Sequence, residues 1–155
     1  MSYSLEAVIA SAAVLIAVRP ALALVPLGHG LALVPMTDDV FGAFAGGKAD
    51  SAPGFWRMPG GLARALSAWS SDGPVAYVEA DYFGGVGGQC AAVWERGSLA
   101  FGPVTLREHE APPAAGTPIS QALARLGVVR DGHLDEFDTV GLGRHRRTED
   151  WCSGG

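Results

Sequence analysis

The chain has 155 residues and a mass of 16.0 kDa, the size of one ordinary domain and enough to bury a core without disulfides or structural metal. It is 48% hydrophobic and 17% charged with a mean hydropathy of +0.21, which excludes the polar, highly charged composition of a disordered segment. A net charge of -5 and a pI near 5.2 argue against nucleic-acid and anionic-membrane binding, both of which need basic surface, and favour a neutral or basic protein partner.

Lys48 is the only lysine and asparagine is absent, a bias that fits GC-rich coding and a bacterial source. Cys90 and Cys152 are the only cysteines, so neither a disulfide framework nor a zinc-ligand spacing is available, and a reducing cytoplasm is expected. No metal or cofactor is implied.

From the start of the chain, "LEAVIASAAVLIAV" lacks a basic region before it, carries Glu6, and runs apolar only from Ala7 to Val18. That is short of the roughly 20 residues a bilayer requires. Leu5, Val8, Ile9, Ala12, Leu15 and Ile16 recur at helical spacing behind Ser4, a capping residue, which predicts an amphipathic core helix over 4–18. "LALVPLGHGLALVPM" then repeats Leu-Ala-Leu-Val-Pro around Gly28 and Gly30, a β-hairpin signature over 21–36 with His29 solvated at its tip. Between Thr37 and Pro59, Phe41, Phe44, Phe55 and Trp56 are expected to pin a loop onto the core. Leu62, Ala65, Leu66 and Trp69 mark a second helix, ended by "SSDGP".

"VAYVEADYF", "CAAVWE" and "LAFGPV" read as strands within 75–104, the last two joined by a tight turn at Arg96 to Ser98. The glycine-rich stretch "YFGGVGGQ" therefore joins strand to strand. A phosphate-binding glycine loop opens a helix, whose free N–H groups hold the anion, so nucleotide binding of that kind is excluded. Gly84, Gly85, Gly87 and Gly88 instead predict a wide turn or bulge. On the strand before it, Glu79 and Asp81 share one face, about 6.6 Å apart along the chain at about 3.3 Å per residue. Pairing Phe83 with Cys90 would set Asp81 opposite Ala92 and Glu79 opposite Trp94. Such a carboxylate pair serves acid/base chemistry or cation binding, or is simply two solvated acids.

Thr117 caps a helix over 118–126, with Pro118 at its first position, Ile119, Ala122, Leu123 and Leu126 on its buried face, and Gly127 as its stop. Beyond it, residues 131–155 combine the acids Asp131, Asp135, Glu136, Asp138, Glu149 and Asp150 with Arg144, Arg146 and Arg147. Phe137, Leu142 and Trp151 among those charges predict a segment folded back on the domain. Arg144, His145, Arg146 and Arg147 offer an anion site, or ion pairs to Glu79, Asp81 and the neighbouring acids.

"YVEADYFGGVGGQCAAVW" together with "DEFDTVGLGRHRRTEDW" resembles a group of small, uncharacterised bacterial proteins sharing these two blocks. The resemblance spans the second half of the chain and implies no activity. The expected fold is a single α+β domain over 1–155, a mainly antiparallel sheet of about five strands against two or three helices. No nucleophile elbow, zincin motif or Walker sequence is present. The expected function is non-catalytic binding of a protein partner, of the immunity type, through an acidic surface. Its binding residues are Tyr82, Gly84, Gly85, Gln89, Asp135, Glu136, Asp138, Arg144, His145, Arg146 and Arg147. The alternative is a small hydrolase with Glu79, Asp81 and His145 as acid and base.

Overall fold

The apolar run that opens the chain is a strand for most of its length, not a helix. In the computed structural model, which describes residues 2–18, 24–37, 40, 42, 55, 60–83, 86–129 and 135–151, β1 spans Ser2–Ser11 and only Ala12–Val18 is helical (α1). The helix predicted over 4–18 is corrected accordingly. Leu5, Ala7 and Ile9 face one core while Val8 and Ala10 face another, all at most 1% exposed. A central strand covered on both faces needs no polar alternation, so its sequence also satisfies helical spacing. The Ser11 hydroxyl accepts the Val14 N–H (3.2 Å) at the start of α1.

The remaining elements are β2 (Val25–Pro26), β3 (Leu31–Pro35), α2 (Gly60–Trp69), β4 (Val75–Phe83), β5 (Val86–Glu95), β6 (Ser98–Leu106), α3 (Pro118–Arg125) and α4 (Glu136–Val140), with 3-10 turns at Gly28–Gly30, Ser70–Asp72 and Leu142–Arg144. The strands form one six-stranded sheet in the order β2-β3-β1-β4-β5-β6, and every pairing is antiparallel. The α+β class holds, with one strand more than expected, because β1 inserts between the two hairpins. The predicted hairpin over 21–36 is β2 and β3, with His29 exposed at its tip and in left-handed backbone (φ 62°). Residues 21–23 lie outside the described residues, as do Phe41, Phe44 and Trp56.

Helices cover both faces. On face A, Ile119, Ala122 and Leu123 of α3 join Val140, Leu142 and Trp151 over Leu5, Ala7, Ile9, Val78 and Ala91. On face B, Val14 and Leu15 of α1 and Leu62, Leu66 and Trp69 of α2 pack over Val8, Ala10, Tyr77 and Ala92. Phe55 also seats here, edge-on to Tyr77 with ring centroids 5.1 Å apart. Among the described residues, no helix is long and apolar enough to cross a membrane.

Candidate functional site

The hairpin of β4 and β5 holds the glycine-rich stretch in a register unlike the expected one. Phe83 pairs with Val86, Asp81 with Gly88 and Glu79 with Cys90, so only residues 84 and 85 separate the two strands. Gly87 and Gly88 belong to β5 and are not part of a turn; Gly84 and Gly85 themselves lie outside the described residues. Gly87 lets the strands approach: a Cβ there would lie 2.7 Å from the Tyr82 Cα and nearer still to the Asp81 carbonyl oxygen. The glycines thus serve backbone pairing.

This pairing leaves the last described residues of the hairpin in solvent. Phe83 is 77% exposed and Val86 44% exposed, a cross-strand apolar pair beside exposed Asp81. The turn after β6 borders them. It is fixed by the Arg107 N–H donating to Glu110 Oε1 (2.8 Å) and the Glu110 N–H donating to the Arg107 carbonyl (3.1 Å). Glu108 and Glu110 therefore stand exposed next to Phe83 and Val86, and concavities of about 480 Å³ (Asp81, Phe83, Val86, Glu108) and about 420 Å³ (Tyr82, Val86, Leu106, Glu110, Thr117) run between hairpin and turn.

On face A, Tyr82 and Thr117 also line a separate cavity of about 270 Å³, with Tyr3, Ala80, Gln89, Asp135 and Phe137. Three of the sequence-predicted binding residues, Tyr82, Gln89 and Asp135, meet here. Tyr3 reaches the site because it pairs with Tyr82 across β1 and β4. Its hydroxyl donates to the Leu142 carbonyl (2.9 Å), and its ring tilts against Phe137 at 5.6 Å. Gln89 ties the wall to α3: its Oε1 accepts the Ile119 N–H (3.0 Å), which leaves its amide to bond Tyr82. Thr117 Oγ1 accepts the Ser120 N–H (3.3 Å) as the cap of α3.

Burial raises the Tyr3 phenol far above its ordinary value of 10.0 and raises Tyr82 as well, against a smaller lowering by Gln89. The folded state therefore keeps a proton that the unfolded chain loses above pH 10.0, so stability is full below that pH and falls as pH rises past it. Tyr3→Phe is expected to remove much of this alkaline loss, read by comparing melting temperatures of both proteins from pH 8 to about 11. Identical slopes would contradict it.

The carboxylates singled out on β4 lie on face B. Glu79 is 1% exposed and accepts the Tyr77 hydroxyl (2.9 Å); it sits across from Glu6 on one side and Cys90 on the other. Burial, with help from the Glu79 charge, pushes the Cys90 thiol up, and the Thr105 hydroxyl donates to its Sγ (3.4 Å). A protonated, buried thiol is no nucleophile. Asp81 is exposed, with the Ser4 hydroxyl at 3.5 Å.

The C-terminal segment follows β1 instead of the glycine-rich hairpin. Beyond the end of β3, the Ser4 N–H donates to the Arg146 carbonyl (2.7 Å). The Glu6 N–H donates to Thr148 Oγ1 (3.0 Å), whose hydroxyl donates to Glu6 Oε2 (2.8 Å). Arg144 donates to the Pro26 carbonyl (2.6 Å) and lies over the Trp151 ring, and His145 meets that ring edge-on at 4.7 Å. Arg146 and Arg147 are exposed, and Glu136 is half-buried; the Asp138 side chain lies outside the description. Trp151 belongs to the face A core and Glu79 to face B, so Glu79, Asp81 and His145 occupy separate surroundings.

Sequence reasoning missed Tyr3 and Phe137 as site residues and saw Thr117 only as a cap. Among the described residues, no group of three or more His, Cys, Asp or Glu side chains is arranged to hold a metal ion. Comparison with protein-family models, with curated proteins and with solved structures finds no match to this chain. The functional reading therefore rests on the hairpin corner itself.

Proposed function

We propose that this protein is a non-catalytic binding protein that engages a basic protein partner through the corner formed by the β4–β5 hairpin and the turn after β6. The observation that carries the reading is the exposed Phe83–Val86 pair bordered by Asp81, Glu108 and Glu110, with His109 beside Glu108 (3.4 Å) between them. Apolar anchors surrounded by a charged rim are the anatomy of a protein interface, in which the anchors hold the complex and the rim steers encounter. An immunity-type role, with a basic toxin as the partner, is the specific form suggested by the chain's size and acidity.

The test is capture of partners from source lysate and secreted proteins by the wild-type chain and two variants, followed by association kinetics at low and high salt. Asp81→Lys with Glu108→Lys is expected to slow association by about tenfold and flatten its salt dependence. Phe83→Ser is expected mainly to speed dissociation. A captured protein that ignores both changes would overturn this assignment of the surface. Hydrolytic activity abolished by Glu79→Gln would replace binding with catalysis.

A further inference from the structure

We propose that the face A cavity between Tyr3, Tyr82 and Phe137 is a binding site for a small uncharged carbonyl compound, an amide carried on an aromatic or hydrocarbon body. The inference goes beyond the partner-binding reading and does not depend on it.

Gln89 sets the polarity of the wall. It is buried, and its Oε1 accepts the Ile119 N–H (3.0 Å), a group that can only donate, so its Nε2 is the end left for Tyr82. An amide nitrogen has no lone pair to accept with, so the Tyr82 oxygen accepts and the phenol proton is turned away from Gln89. The same logic holds at the start of α3. Thr117 Oγ1 accepts the Ser120 N–H (3.3 Å), which turns its hydroxyl proton away from Ser120. Each hydroxyl therefore has an oxygen already engaged and a hydrogen still to give, and both residues line the cavity. Ile119, Gln89 and Tyr82 run head to tail, and such a chain of hydrogen bonds strengthens its last donor.

Between these donors the wall is apolar. The Tyr3 and Phe137 rings tilt together at 5.6 Å and Ala80 lies beside them, a lining that suits a planar or hydrocarbon body. Charge then decides the class of ligand. Among the described residues lining the cavity none is a cation, so a carboxylate or phosphate would leave water without a counter-charge. Asp135 already has an interaction within the fold, and its carboxylate adds to the cost for an anion. A neutral carbonyl oxygen needs donors alone, and its two lone pairs match the two hydroxyls in number. The volume of about 270 Å³ falls below the range of roughly 300 Å³ upward typical of drug-sized ligands, which fits one ring with one polar group.

The experiment titrates the full chain with benzamide, benzoate and benzamidine, one planar shape in neutral, anionic and cationic form, and follows the NMR spectrum. Benzamide is expected to bind weakly, with shifts centred on Tyr3, Tyr82 and Phe137, and about tenfold more tightly than either charged probe. Tyr82→Phe keeps the ring, removes the proton, and should weaken benzamide about fivefold. Thr117→Val should also weaken it, whereas Thr117→Ser, which retains both the hydroxyl and the helix cap, should not. Spectra of the free variants report whether the fold is kept, and if Thr117→Val loses it with the cap, the Tyr82→Phe comparison carries the test.

Benzoate or benzamidine binding as tightly as benzamide would overturn the assignment of an uncharged ligand. Shifts absent from the three aromatic residues up to the solubility limit of benzamide would overturn the site itself, as would a Tyr82→Phe protein that binds benzamide as well as the wild type.

Discussion

Deleting residues 143–155 is expected to unfold the protein or lower its stability by at least about 4 kcal/mol, because Trp151 lies in the face A core. Trp151 is 1% exposed, and replacing a buried tryptophan with alanine alone costs about 3–5 kcal/mol. The deletion also removes the bonds from Arg146 and Thr148 to β1, where Thr148 and Glu6 hold each other through two hydrogen bonds. Those bonds face water once broken and contribute only about 1 kcal/mol each, so the tryptophan dominates. Against a usual total of about 5–15 kcal/mol, this is a large share. Chemical denaturation of the full and shortened chains measures it. A shortened protein with the same midpoint would show that the face A core closes without Trp151.

The sheet hairpins, α2, α3 and the strand-to-strand role of the glycine-rich stretch were legible because each carries local signals: repeated Leu-Ala-Leu-Val-Pro, a threonine cap before proline, a glycine stop. β1 was read as helix although its first residues, Ser2, Tyr3, Ser4, Leu5 and Glu6, alternate polar and apolar as a strand does. The run from Ala7 onward hid this, since a strand buried on both faces and a buried helix share one composition. That error had a second effect. With β1 read as a helix, nothing in the sequence could set Tyr3 beside Tyr82 or Glu6 across from Glu79, because both contacts belong to strand register. The hairpin register failed for a related reason. Four glycines in eight residues suggest a broad loop, whereas two of them extend β5, and at Gly87 the neighbouring strand comes too close for any side chain.

Gly87→Ala should therefore cost about 3 kcal/mol, the upper end for overpacking, since the added methyl meets backbone on the neighbouring strand instead of a side chain that can swing away. The Tyr82 Cα would be 2.7 Å away and the Asp81 carbonyl carbon 2.8 Å, separations that real Cβ atoms essentially never show. Relief requires parting β4 from β5 near their shared end. Because Tyr82 and Gly87 pair there, and because Gly87 borders both concavities at the corner, the damage extends from stability to binding. Gly143→Ala is the matching control: a Cβ there meets nothing within 4 Å, and the change should stay within about 0.5 kcal/mol. Denaturation midpoints of both variants, with amide spectra to report strand pairing at Asp81 and Tyr82, decide the matter. A Gly87→Ala protein as stable as the Gly143→Ala control, with those amides unmoved, would mean that the hairpin can widen freely at this end. In that case the corner would adapt to its partner, and the fixed juxtaposition of Phe83, Val86 and the acidic rim would no longer explain recognition.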